Sequence, residues 1–131
     1  MKKVIVAVAV LLVLGALGGG FYLIGPPREE RARRLDARRE MDLQRLQLAA
    51  NLYWTRHNRL PTTLDELAIQ AGTNIYSRDP QSGQPYTYAV KDGDTYELCA
   101  EFTHESQRRG DFWSHPAGRH CFVMTAQNMT P

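Results

Sequence analysis

Between Pro26-Pro27 and Pro61 the chain has neither proline nor glycine, so nothing in that stretch interrupts a helix. A helix over 26–58 would run for roughly 48 Å at about 1.5 Å per residue. Its two halves differ. From Arg28 to Asp42 charge lies almost all round, and this half reads as a solvated shaft. From Leu43 onward, Leu43, Leu46, Ala49, Ala50 and Tyr53 recur at the spacing of one apolar helix face, with Leu52 and Trp54 alongside. This second half reads as the core helix of a small domain.

Before the helix lies a run without charge, Val4 to Ile24, preceded by Lys2 and Lys3. About 20 apolar residues suffice to cross a bilayer, and Phe21 and Tyr22 suit an interface position. A cleaved secretory signal is the rival reading, with Lys2-Lys3 as its basic start and Ala16, Gly18 and Gly20 as small residues for cleavage. Apolar character resumes after the glycines, which favours an uncleaved anchor in contact with the lipid bilayer. Orientation has two arguments. Six arginines after the run outnumber two lysines before it, which by the positive-inside rule would leave the C-terminal part in the cytoplasm. The secretory-looking start and the two cysteines argue for export. The expectation is a single-pass membrane protein with its soluble domain outside the cytoplasm. It is divided into an anchor (1–25), a shaft (26–42) and a domain (43–131).

A net charge of +2 is too small to suggest nucleic acid by itself, and the arginines of the shaft are interspersed with Glu29, Glu30, Asp36 and Glu40. Solvated ion pairs, or attraction of these arginines to anionic lipid headgroups, account better for them. No nucleic acid is expected as a partner.

Thr63-Leu64-Asp65-Glu66 has the form of a capping box, opening a short helix that Gly72 can end. The segment 79–85 is dense in turn formers. Tyr86, Tyr88 and Val90 share one face of a strand, Asp92-Gly93-Asp94 signals a hairpin, and Tyr96, Leu98, Ala100 and Phe102 share a face of the next strand. A polar loop covers 104–114, and His120 to Met124 form a last strand. Cys99 and Cys121 lie opposite in phase to the apolar residues of their strands. If the two strands are neighbours, both thiols project from one sheet face and a disulfide can form.

The order of these features resembles the pseudopilin family of type II secretion. The resemblance rests on Leu52-Tyr53-Trp54 through Leu60-Pro61-Thr62-Thr63-Leu64 and on Asp79-Pro80-Gln81-Ser82-Gly83-Gln84-Pro85-Tyr86-Thr87-Tyr88 followed by Asp94-Thr95-Tyr96-Glu97-Leu98. It implies an α+β, type IV pilin-like fold: an N-terminal transmembrane helix continuing into a long helix packed on a small antiparallel β-sheet. It also implies a non-catalytic protein working through protein partners in an envelope, secretion or pilus-like assembly, with the soluble domain on the periplasmic side of a bacterial inner membrane. The chain departs from the family pattern at two places. Gly20-Phe21-Tyr22-Leu23-Ile24-Gly25 is similar to a prepilin processing site but follows the apolar segment instead of preceding it. The family's calcium loop has no counterpart after Leu98. The family's calcium ligands and membership of an assembled pseudopilus are therefore not carried over.

His57, His104, His115 and His120 with the cysteines could be drawn as a zinc site, but their spacing matches no ligand pair. A cysteine with His120 could be drawn as a nucleophile and base. Asp92, Asp94, Glu97 and Glu101 are explained by a hairpin and a solvent-facing strand. A small periplasmic enzyme or metal-binding protein using the His/Cys region is the alternative function. The expectation is no cofactor, no metal and no small-molecule substrate. Trp113, His115 and Arg119 mark a candidate partner-contact loop, against the plainer reading of a structural loop anchored by Trp113.

Overall fold

The computed structural model describes residues 1–24, 27–71 and 77–128. The expected anchor–shaft boundary at 25/26 and the expected end of the short helix at Gly72 lie outside the described residues. Internal contacts divide the chain into two units, Met1–Ala32 and Arg33–Pro131.

The first unit holds α1, Lys2–Ile24, and the opening of α2, Pro27–His57. The 23 residues of α1 rise about 34 Å at about 1.5 Å each, enough for a hydrocarbon core of about 30 Å. Its valines and leucines are exposed. Among the described residues, one helix near the N-terminus is thus long and apolar enough to cross a membrane.

The second unit is α+β. From Arg33 onward α2 supplies its spine, followed by α3 (Leu64–Ala71) and three strands, β1 (Thr87–Val90), β2 (Thr95–Phe102) and β3 (Gly118–Thr125). The strands form an antiparallel sheet in the order β1-β2-β3. Period-2 alternation puts Tyr96, Leu98, Ala100 and Phe102 of β2 on the inner face with Phe122 and Met124 of β3. These join Leu43, Leu46, Ala50 and Tyr53 of α2 and Leu64 and Leu67 of α3 in one buried cluster. The α+β architecture of long helices and a small antiparallel sheet is as expected.

Local signals explain the element ends. Asn58 takes a left-handed φ of 52° after α2, and its N–H bonds the Trp54 carbonyl at 2.7 Å. Thr63 caps α3 by accepting from the Glu66 N–H at 3.2 Å. The return bond of the expected capping box is shifted by one residue: the Glu66 carboxylate accepts from the Thr62 N–H at 2.7 Å. Tyr53 and Arg59 also donate to it, and together these donors hold the Glu66 pKa down to about 2.

Candidate interaction site

Asp36, Arg39 and Asp42, which the charge pattern assigns to a solvated shaft, are only 6%, 4% and 1% exposed. They extend the buried face of α2 toward its N-terminus as a polar network, within the second unit, which begins at Arg33. Arg39 is the hub. Its guanidinium grips Asp79 through Nε and Nη2, donates from Nη1 to Asp36 at 2.7 Å, and reaches Gln81 Oε1 at 2.8 Å and Thr103 Oγ1 at 3.3 Å. A planar five-donor fork serves such a set of acceptors as no other cation does.

Each carboxylate in turn secures a loop. Asp36 accepts from the backbone N–H groups of Thr103 and His104, both at 2.9 Å, where β2 passes into the long loop. Asp79 Oδ1 accepts from the N–H groups of Gln81 and Ser82 at 2.9 and 2.7 Å, which closes the Asp79–Gly83 turn. Gly83 completes that turn at φ 70° and donates to the Asp79 carbonyl. Asp42 is treated differently. Tyr86 donates to its Oδ2 at 3.1 Å, Arg45 stands 3.8 Å from its Oδ1, and that oxygen has no hydrogen bond among the described residues.

The electrostatics follow. Burial disfavours the charge on Asp36, but the Thr103 and His104 N–H groups and Arg39 outweigh it and lower the pKa. Burial likewise opposes the Asp79 charge, while Arg39 and the turn N–H groups bring its pKa down to about 2. For Asp42 burial prevails over the Tyr86 bond, and the pKa is raised. Burial, then the Asp42 charge and hydrogen bond, push the Tyr86 hydroxyl well above its ordinary value.

The three residues of the candidate partner-contact loop take different positions. His115 is buried. It stacks on Phe102 with ring centroids 3.5 Å apart, and its N–H bonds Ser106 Oγ at 3.1 Å. Trp113 is half-buried and packs on Phe122 at 4.8 Å. Both anchor the loop, and His115 faces the core. Arg119 is exposed but lies on β3, with Thr87 Oγ1 3.5 Å away. The aromatic that the loop exposes is Phe112, which meets Trp113 and Phe122 at 5.3 and 6.0 Å and is unmarked by the sequence pattern. Arg108 ties the loop to α2 through Glu40 at 3.5 Å.

Cys99 and Cys121 face each other in the β2–β3 register, with Cα atoms 4.0 Å apart, and form a disulfide. Among the described residues, Glu97, Cys99 and Cys121 are the one group of three metal-ligand types in mutual reach, but the sulfurs are bonded to each other and offer no thiolate. The same bond removes the nucleophile drawn with His120. Glu97 pairs with Lys91 at 2.8 Å, and Asp92 and Asp94 lie in the hairpin turn. A surface groove of about 130 Å³ lies between the Asp79–Thr87 segment and β2 at Cys99–Glu101. Organic ligands occupy clefts of about 300 Å³ or more.

No protein-family model, curated protein or solved structure matches the chain.

Proposed function

We propose that this is a non-catalytic, single-pass membrane protein whose second unit works by protein–protein interaction outside the cytoplasm, as a pseudopilin-like domain of a bacterial inner-membrane assembly of the secretion or pilus type. The observation that carries the reading is the Cys99–Cys121 disulfide in a chain that also holds a spanning-length apolar helix. Disulfides persist in oxidising compartments, and an N-terminal apolar helix is the means of reaching one. Further support comes from how the polar residues are used. The buried charges fasten loops to α2, and the aromatics of the 103–117 loop anchor it, so they act as scaffold around exposed surface and not as reacting groups. The resemblance in the 52–67 and 79–98 segments adds the pseudopilin-like assignment.

A C-terminal fusion tests the reading. Alkaline phosphatase fused after Pro131 is expected to be active and to sediment with membranes. An inactive enzyme, together with a fluorescent cytoplasm-only reporter at the same position, would refute it.

A further inference from the structure

The face of α2 opposite the core carries a second pattern. Arg38, Met41, Arg45, Leu48, Leu52 and Thr55 follow one another at alternating intervals of three and four residues. All six are exposed, and the three large apolar side chains are 49%, 55% and 37% exposed. At about 100° per residue, Met41, Leu48 and Leu52 fall within an arc about 40° wide, diametrically across from Leu43, Leu46 and Ala50. The stripe extends for about 26 Å. It bears no acidic side chain. Between Arg38 and Thr55 the acids are Glu40 and Asp42; Asp42 is buried, and Glu40 lies to one side with Gln44 and Arg108.

We infer that this stripe docks an amphipathic helix of another protein, one with an apolar seam and carboxylates facing Arg38 and Arg45. The inference rests on the protein–protein reading above and gives it a surface and a partner chemistry. Three physical arguments lead to it. A repeat of 3.5 residues is the spacing at which two helices interlock side chains along a seam. A lipid surface imposes no such repeat, and a helix lying on one presents a wider apolar face, of about 100° or more. A second copy of this chain would set arginine near arginine in the same seam, and like charges there repel. A carboxylate-bearing helix matches both the spacing and the charge.

The probe is a synthetic three-heptad helix with leucines along its seam and glutamates set to meet Arg38 and Arg45. A control peptide carries lysines in place of the glutamates. The full chain, held in nanodiscs of zwitterionic lipid, is expected to bind the glutamate peptide saturably in fluorescence anisotropy. Arg45→Glu should weaken that binding roughly fivefold and strengthen binding of the lysine peptide by a similar factor. Leu48→Ala should also weaken the glutamate peptide roughly fivefold, through lost apolar burial, and serves if the charge reversal disturbs folding. Circular dichroism melts show whether each variant is folded. The inference is overturned if neither peptide binds, if the two bind alike, or if folded variants bind as the parent does. It is equally overturned if phosphatidylglycerol vesicles displace the peptide through the same residues, or if Leu48→Cys chains cross-link to one another in its place. Such a failure leaves the anchored, exported reading standing, because that reading fails only with the reporter fusion.

Discussion

At the scale of single residues, Arg39 holds the two halves of the polar network together, so its loss should be felt at both. Arg39→Ala leaves Asp36 and Asp79 buried without their counter-charge, and unfolding by urea should register a cost of about 3–5 kcal/mol. Lysine should restore little of it, having a point charge in place of the fork that meets Asp79 at two atoms. The pH dependence follows from the directions of the shifts. Asp36 and Asp79 have folded pKa values below their unfolded ones, so their contribution is full above about pH 4 and is lost as pH falls, for Asp79 through about 2. Asp42 has the opposite sign: its raised pKa makes the folded state bind the proton more tightly, so its contribution falls as pH rises through the folded value. Urea midpoints should therefore drop between about pH 5 and pH 2, and less steeply in Arg39→Ala than in the parent. Tyr96 is a counterexample among the buried polar groups. Its hydroxyl has no partner among the described residues, and burial pushes its pKa up to about 12. Tyr96→Phe should be neutral or stabilising by up to about 1 kcal/mol, and a clear loss of stability would reveal a partner for that hydroxyl.

At the scale of elements, the apolar pattern of α2 was legible from Leu43 onward because apolar residues alone define the period. The same face continues toward the N-terminus through Asp36 and Arg39, at the same intervals of three and four, but in charged residues. That continuation was the available signal. What the sequence could not supply were the partners, Asp79, Gln81 and Thr103, which stand forty or more positions away and approach only in the folded unit. The hairpin and the facing of Cys99 and Cys121 were readable because a period of two leaves one choice of face once strands pair. The loop is harder to read for the converse reason. Trp113 and His115 look like surface recognition residues by type, yet Phe122 and Phe102 offer them flat apolar faces to cover, and only Phe112 is left outside. The start of α3 gives an element-level test. Thr63→Ala removes the cap of Glu66 N–H and should cost about 1 kcal/mol in thermal or urea unfolding.

At the scale of the whole molecule, a membrane-length helix and a disulfide-closed sheet belong to one chain, and each makes sense of the other. The disulfide closes a separation of 22 residues and in the chain-entropy model contributes about 3 kcal/mol. Replacing both cysteines with serine should lower the melting temperature, and an unchanged value would show that the crosslink adds nothing to the folded unit. The central claim, that an uncleaved anchor carries this domain into an oxidising compartment, is tested most directly by one measurement. Cells producing the unmodified chain are lysed in a thiol-alkylating reagent, their membranes are washed with alkaline carbonate, and the protein is weighed intact by mass spectrometry. The account predicts a chain that stays in the membrane pellet, retains Lys2 through Ile24, and carries no alkyl group. A shortened chain in the soluble fraction, or a full-length chain alkylated at both Cys99 and Cys121, would contradict it.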